Sequence, residues 1–306
     1  MTLYLRLLLT VIISLSLCSH ASAQQTDLLK LVTDDKPKKE HVSNAFKSTR
    51  VVSGQSIEFL GKGVLDLRIL HRFGLISEGA SNLYGFDEAK MRIGLDYGIL
   101  RNLMVGVGRS TLGKELDAFV KFRPIWQSRG PGSVPFSVVV VSGITLDPNK
   151  APPVDTSKFQ FFTSRLAFYN AIIIGSKISE RFSLQLTPEM VHRNLVDSVT
   201  QSNDVYAIGI GARFKLSRRV AFVVDYHHIL YGLKAGTYED PLSIGFDIET
   251  GGHVFQLHFS NSQGMNERAL LLGTTDKWSA GNIRFGFNLS RVFTVSKPKN
   301  SSGKNW

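Results

Sequence analysis

Residues 63–73, GVLDLRILHRF, alternate between apolar and polar side chains over the length of a full strand. In an extended chain the apolar residues fall on one face and the charged residues on the other: Leu65, Leu67, Ile69 and Phe73 against Asp66, Arg68 and Arg72. Successive side chains of a β-strand point to opposite faces, so this period of two indicates a strand. The segment therefore predicts a strand with one apolar and one polar face.

The same alternation returns along the chain as far as residue 293, and turn residues close each run. Clear examples are AKMRIGLDYGI, ELDAFVKFR, DVYAIGIGARFKL, RVAFVVDYHHI and NIRFGFNLSRVF. With the less regular runs included, residues 63–293 contain about twelve strands. The chain is therefore predicted to be all-β, and an even number of strands is typical of bacterial outer-membrane barrels.

Alternation alone does not show which face meets water, because a soluble sandwich and a membrane barrel give the same string. Two features favour the barrel: short and long connections alternate, and the last strand ends in aromatic residues. Glycines also occur on the polar face within strands, where they relieve crowding around an enclosed lumen: Gly94, Gly98, Gly209, Gly211, Gly245 and Gly286. We predict a transmembrane up-and-down antiparallel β-barrel of about 12 strands. The alternative fold is a secreted soluble sandwich.

The composition excludes other classes of protein. With 43% hydrophobic and 20% charged residues, the chain is too apolar to be disordered. Beyond the N-terminal signal, no apolar run reaches the roughly 18–20 residues that a membrane helix needs, which excludes a helical membrane protein. The formal net charge of +11 is explained by lipopolysaccharide at the outer loops or by charge pairing in the lumen. We do not expect a nucleic-acid partner.

The first 23 residues have the pattern of a secretory signal. Arg6 is followed by a long apolar run and by small residues that end at Ala23, after which we expect cleavage. The only cysteine, Cys18, lies within this signal. The mature chain therefore has no cysteine for disulfides, thiol catalysis or metal binding.

The signal (1–23) precedes three further regions. Residues 24–62 are predicted to be a mobile periplasmic arm and a lead-in segment, residues 63–295 the barrel, and residues 296–306 a short basic tail. Within the lead-in, VVSGQSIEFL at 51–60 has strand character. It is either a periplasmic segment or a strand inside the lumen.

Several longer strings, GVLDLRILHRFG, VGVGRS, FFTSRLAFY, SIGFDIETGGHVFQLHF and FGFNLSRVF, are similar to a family of Bacteroidetes-type outer-membrane β-barrel proteins with a domain of unknown function. The resemblance extends over about residues 40–295, and the stretch from Ile244 to Phe259 is specific to it. It implies a membrane barrel. It implies no substrate, cofactor or catalytic residue.

The polar strand faces are predicted to line the lumen with charges of both signs. The residues concerned are Asp66, Arg68, Arg72, Arg92, Asp96, Asp117, Lys121, Arg123, Arg165, Glu189, Arg213, Asp225, Asp247, Glu249 and Arg284. Their mild cationic surplus leaves two interpretations, a packed polar core with ion pairs across the lumen or a narrow, anion-biased pore. We also expect Arg92→Ala to be tolerated better than an arginine on the apolar face.

No pattern of catalytic or metal-ligating residues stands out. His227 and His228 are adjacent, so they point to opposite faces of a strand. His258 and Ser260 share a face, as do Asp225 and His227, but residues two apart always do so in a strand. We expect no enzymatic activity, cofactor or metal; the alternative is a membrane-embedded hydrolase at the barrel rim. The expected partners are outer-membrane lipid, lipopolysaccharide and the barrel-assembly machinery.

Overall fold

The computed structural model describes residues 38–149, 161–196, 201–234 and 236–296. The predicted signal with its cleavage after Ala23 lies outside the described residues, as does the tail beyond residue 296. The chain divides into two units, one of residues 1–40 and 130–132 and one of residues 41–129 and 133–306. Only 38–40 and 130–132 of the smaller unit are described, and all the barrel strands belong to the larger unit.

In the larger unit the described residues form a closed antiparallel barrel of twelve strands. The strands are β1 Val64–Leu75, β2 Ala89–Leu100, β3 Leu103–Ser110, β4 Leu116–Ile125, β5 Ser137–Leu146, β6 Leu166–Lys177, β7 Phe182–Arg193, β8 Asp204–Lys215, β9 Val220–Tyr231, β10 Leu242–Thr250, β11 His253–Ser260 and β12 Arg284–Thr294. Each strand pairs with the next along the chain, and β12 pairs with β1. The predicted fold class and strand number are confirmed.

Shorter elements are not part of the barrel wall. Two-residue strands occur at Glu40–His41 and Ser128–Arg129. The helical segments comprise four 3-10 helices and the α-helix α1, at Ile76–Glu78, Ala80–Gly85, Phe162–Arg165, Trp278–Ala280 and Glu267–Leu272 (α1) among the described residues. No helix in the described ranges is long and apolar enough to cross a membrane.

The two faces of the wall differ as the alternation predicts. Outward side chains are apolar and exposed, for example Val107 at 54% and Ile172 at 47%. Inward side chains are buried and many are charged, with Arg72 and Arg92 both at 0%. An apolar outer face and a polar inner face are the arrangement of a transmembrane barrel.

The two ends of the barrel are also unequal. The short turns 101–102, 178–181, 216–219 and 251–252 lie at the end where the chain enters β1 and leaves β12, which we call the turn end. The opposite end, the loop end, carries the longer connections 76–88, 147–165, 194–203, 232–241 and 261–283. This is the predicted alternation of short and long links, with two exceptions: the connection 111–115 at the loop end is short, and 126–136 at the turn end is long.

The inner wall is not polar all round, which differs from the sequence-based expectation. β5 to β8 contribute apolar as well as polar inward residues, and the apolar ones are Val139, Val141, Ala167, Tyr169, Ala171, Ile173, Val191 and Ala207. They form one buried cluster with Ile57 and Leu60 from the segment before β1. The apolar runs VPFSVVVVSGI and AFYNAIIIG therefore belong to strands whose two faces are both apolar, one towards lipid and one towards this segment.

An arginine on the outward face is expected to impair assembly. Ile69 faces outward on β1, between Ile93 of β2 and Leu289 of β12, and Ile69→Arg near the middle of the wall should destabilise the barrel by roughly 2–4 kcal/mol. The matched control is Leu116→Arg at the loop end of β4, where a charge should cost at most about 1 kcal/mol. Urea unfolding of both variants in lipid vesicles measures the difference. Equal effects, or extraction of the native protein by carbonate without detergent, would contradict a lipid-facing wall.

Candidate functional site

The lumen is occupied by the chain's own N-terminal segment. We call residues 41–60 the plug, because most of its residues from Ala45 onward are buried inside the barrel. Phe46, Val51 and Ile57 are at most 3% exposed. The structure thus differs from the expected periplasmic arm at residues 45–50. Residues 51–60 lie in the lumen, as one of the two interpretations held, but they do not form a strand.

A single carboxylate on the wall holds the tightest bend of the plug. Oδ2 of Asp225 accepts hydrogen bonds from three consecutive backbone N–H groups, those of Val52 at 3.1 Å, Ser53 at 2.9 Å and Gly54 at 2.8 Å. The bend is closed by the N–H of Val51, which donates to the carbonyl of Gly54 at 2.8 Å. Consecutive N–H groups turned towards one point form an anion-binding concavity, and here the anion is a side chain of the same protein.

Glycine is needed at residue 54 because the wall is so close. A Cβ at Gly54 would lie 2.8 Å from Nε2 of His227, closer than carbon and nitrogen atoms pack. The imidazole cannot easily move away, because its Nδ1 lies 2.5 Å from Oε1 of Glu189 and its Nε2 lies 3.1 Å from Oδ1 of Asp225. The Tyr169 hydroxyl donates to the other oxygen of Glu189 at 2.9 Å. A buried hydrogen-bonded chain therefore orients the carboxylate that binds the plug.

Amide side chains on the wall bind the plug backbone around this bend. Gln256 Nε2 donates to the carbonyl of Val51 at 2.6 Å, and Asn288 Nδ2 donates to the carbonyl of Val52 at 2.9 Å. Gln185 uses both ends of its amide, accepting from the N–H of Ile57 at 3.0 Å and donating to the carbonyl of Gln55. Because an irregular buried segment has no ladder to satisfy its backbone, these side chains take that role.

Charged residues hold the part of the plug nearer the turn end. Lys121 Nζ donates to the carbonyls of Thr49 at 3.1 Å and Glu58 at 2.8 Å. Arg68 Nη1 donates to the hydroxyl of Thr49 at 2.7 Å, and that hydroxyl donates to Asp96 at 3.0 Å. These predicted lumen residues therefore bind the plug rather than pairing across an open space.

Strand glycines make room for the plug. A Cβ at Gly98 would lie 2.1 Å from the carbonyl oxygen of Gly61, and one at Gly211 would lie 2.8 Å from Cγ2 of Val51. The sequence indicated that these glycines relieve crowding in the lumen. The structure shows that part of the crowding comes from the inserted chain.

A second segment enters the lumen from the loop end. The connection 261–283 was expected to be a polar outer loop, but its helix α1 is largely buried, with Leu270 and Leu271 at most 2% exposed. Glu267 of α1 pairs with Arg50 of the plug at 2.8 Å and accepts from Gln55 Nε2 at 2.8 Å. Burial opposes ionisation of Glu267, but the charges of Arg50 and Arg92 outweigh it and hold its pKa below the usual range.

The same N-terminal turn of α1 is also tied to the barrel rim. The Asn266 side chain caps the helix by accepting from the N–H of Ala269 at 2.7 Å, and it donates to Glu115 at 2.7 Å. Arg268 forms an ion pair with the same carboxylate. The plug and α1 thus contact each other inside the barrel, and each is also bound to the wall.

The predicted lumen residues are found in three situations. Most are buried on the inner wall: Asp66, Arg68, Arg72, Arg92, Asp96, Asp117, Lys121, Arg123, Glu189, Arg213, Asp225, Asp247 and Arg284. Glu249 lies at the turn end of β10, partly exposed and paired with Lys47 of the plug at 2.9 Å. Arg165 lies beyond the wall, in the 3-10 helix that precedes β6.

Ion pairs across the lumen, which the sequence suggested, are replaced by local ones. Arg92 pairs with Asp117 two strands away, its Nε donating to Oδ1 at 2.9 Å. Arg284 pairs with Asp276 of the adjoining loop at 2.6 Å. The reason is physical: the plug occupies the space that pairs between opposite walls would need.

The residues considered for catalysis are buried and contact other side chains of the interior. His258 is 1% exposed, and the Ser260 hydroxyl is hydrogen-bonded to that of Ser243 at 2.9 Å. His227 is enclosed between Glu189 and Asp225, under the plug. Among the described residues no cluster of three or more His, Asp or Glu side chains has the geometry to hold a metal ion.

A closed barrel with an apolar belt and a polar, filled interior defines the class of membrane β-barrel proteins. The family model of the membrane bound beta barrel domain (DUF5777) matches residues 46–293, and the chain belongs to this family. The matched region includes most of the plug as well as the barrel. No curated protein matches the sequence.

Solved structures of bacterial barrels are similar to this chain in fold. The NanC porin has 9% identity and a TM-score of 0.46, covering 74% of this chain and 98% of its own. The KdgM porin has 8% identity and a TM-score of 0.45, covering 75% and 99%. The translocator domain of the autotransporter NalP from Neisseria meningitidis has 11% identity and a TM-score of 0.32, covering 77% and 89%. Similarity at this level carries no information about solute or activity.

Proposed function

We propose that the protein is a bacterial outer-membrane β-barrel with a structural or passive small-solute transport role, whose lumen is closed by its own plug. The observation that carries this proposal is the position of the plug, bound by Asp225 at its bend and by Arg50 to Glu267 of α1. A lumen filled from both ends leaves little room for water. Any solute path then requires the plug or α1 to move.

Three features support the outer membrane as the location. The number of strands is even, the outward face is apolar, and the short turns lie at the same end as both ends of the barrel chain. In such barrels the short turns face the periplasm and the long loops face outward. Export through the predicted signal and insertion by the barrel-assembly machinery belong to the same proposal, as does a Bacteroidetes-type source.

The purified protein is expected to give small or absent current in a planar bilayer. Because cationic side chains outnumber anionic ones on the inner wall, residual current should be mildly selective for anions, and added salt should weaken the selectivity. Single-channel recording in KCl at two concentrations measures both properties. Large, cation-selective channels in the unaltered protein would contradict a closed lumen.

The alternative of a hydrolase at the rim gains no support from the site. Its candidate residues His227, His258 and Ser260 face the buried interior, and substrate could not reach them without displacing the plug or α1. A structural or passive role fits their contacts better.

A further inference from the structure

The outward face carries a polar cleft at the loop end, between β9 and β10. We call it the rim cleft; its volume is about 680 Å³, and Tyr226, Tyr231, Tyr238, Asp240, Lys277 and Trp278 are among its lining residues. Tyr231 is 63% exposed, which leaves its ring open to a ligand. Aromatic rings with polar ends are suited to the boundary between lipid and water.

The rim cleft exists because β9 extends further than β10. The two strands pair from Val220 only as far as Tyr226. Beyond this point the carboxylate of Asp240, rather than a paired strand, binds the backbone of β9. One oxygen of this carboxylate accepts from the N–H of Ile229 at 3.0 Å, and the other accepts from the Tyr226 hydroxyl at 2.7 Å. The cleft wall is therefore held by hydrogen bonds within the protein.

A second depression, the wall groove, continues from the rim cleft down the lipid-facing wall. It has a volume of about 520 Å³, and its lining includes Asn170, Ile172, Pro188, Tyr206, Ile208 and Leu230. The register between β6 and β7 runs to Ala171–Glu189 and resumes at Ile174–Leu186. Pro188 lies in this interval and has no N–H to give to the ladder, so the wall is interrupted here.

Leu230 lines both depressions and joins them. Together, the two depressions have a polar and aromatic part at the rim, the rim cleft, and an apolar part that reaches the middle of the wall, the wall groove. In the rim cleft, Nζ of Lys277 lies 3.3 Å from Oε1 of Glu239, so a cationic donor and an anionic acceptor are adjacent. Such a mixture fits the hydroxyl groups of a sugar better than it fits a single phosphate.

We infer that the rim cleft and the wall groove together bind one acylated sugar lipid of the outer leaflet. The sugar packs against the ring of Tyr231 and pairs with Glu239 and Lys277, while one acyl chain follows the groove past Leu230. This inference rests on the proposed orientation, in which the loop end faces the outer leaflet.

Native mass spectrometry of the full mature protein in detergent tests the inference. The protein is titrated with dephosphorylated lipid A, whose sugar head carries hydroxyl groups, and, separately, with dioleoylphosphatidylglycerol. One lipid A molecule per barrel should remain bound through detergent exchange, at a clearly higher fraction than the phospholipid. Tyr231→Ala removes the ring against which the sugar packs, and Leu230→Trp blocks the passage between the rim cleft and the wall groove. Each variant should therefore lower the fraction of barrels that retain lipid A at least about tenfold.

The matched control is Val107→Trp, which places the same bulk in another lipid-facing groove, lined by Val105, Val120 and Ile144. It should leave retention unchanged. Equal retention of both lipids, or equal loss in all three variants, would overturn the inference. So would a two-chain assembly that Asn170→Ala abolishes, because the groove would then bind a second copy. These readouts do not depend on conductance, so they can fail while the proposed closure of the lumen holds.

Discussion

Replacing Asp225 with alanine is expected to turn a silent barrel into a conducting one. The substitution removes the acceptor of three plug N–H groups, which would then be buried without partners. A hydrogen bond to a charged group contributes about 1.5–3 kcal/mol, so the loss should raise the population of the open barrel at least tenfold. Single-channel recording should show frequent openings that the unaltered protein lacks. Asp225→Asn, which keeps one acceptor oxygen, should give an intermediate frequency.

A reversible tether provides the control for this experiment. A Cβ at Gly211 would lie 2.8 Å from Cγ2 of Val51, a methyl group that Val51→Cys removes, so Val51→Cys with Gly211→Cys brings the two cysteines within the reach of a disulfide. The one cysteine of the sequence, Cys18, lies in the predicted signal. In the Asp225→Ala background, the oxidised tether should suppress the openings and reduction should restore them. A folded, heat-modifiable Asp225→Ala barrel with the same current as the unaltered protein would show that the plug does not close the lumen.

The strand framework could be predicted from the sequence because it depends on a local pattern. Alternation along residues 63–73 fixes which side chains of β1 face inward, and the same rule holds for the other eleven described barrel strands. The number of strands and the two unequal ends followed from turn residues and connection lengths. These features need no knowledge of contacts distant in sequence.

The plug could not be predicted in this way, because its fold depends on distant partners. Residues 51–60 have strand character in the sequence but form no strand in the barrel. Val52 to Gly54 are instead held by a carboxylate more than 170 residues away. Two signals pointed to it. Inward amide side chains such as those of Gln185 and Gln256 can bind the backbone of an irregular segment. The runs of β5 and β6, which are apolar on both strand faces, required an apolar partner inside the barrel.

The sequence also left the role of individual charges open, and Arg92 shows the consequence. Because Arg92 was considered as one of several lumen cations, Arg92→Ala was expected to be tolerated better than an arginine on the apolar face. In the structure Nε and Nη2 of Arg92 both donate to the Asp117 carboxylate. The Arg92 side chain is 0% exposed and that of Asp117 is 4% exposed. Gly108 of β3 makes the room, since a Cβ there would lie 2.2 Å from Nη2 of Arg92.

Arg92→Ala is therefore expected to destabilise the barrel by about 3–5 kcal/mol, because it leaves the Asp117 carboxylate buried without its partner. This loss of stability is at least as large as the loss expected for an arginine on the lipid-facing side. The sequence had suggested that Arg92→Ala would be the milder of the two changes. Asp117→Ala should cost a similar amount. Urea unfolding in lipid vesicles gives the free energy of unfolding for each variant.

The double variant Arg92→Ala with Asp117→Ala separates a buried ion pair from two independent contributions. If the cost of each single change arises from the charge left behind, removing both charges should cost much less than the sum of the two single effects. Arg92→Met with Asp117→Leu, which also fills the space, should come close to the unaltered protein. Strictly additive effects would show instead that each side chain acts separately, as expected if water in an open lumen solvated both charges. The double-mutant cycle and the conductance experiment therefore test the same property, the exclusion of water from the lumen. The cycle tests it with two residues of the barrel wall, and the conductance experiment tests it with the plug.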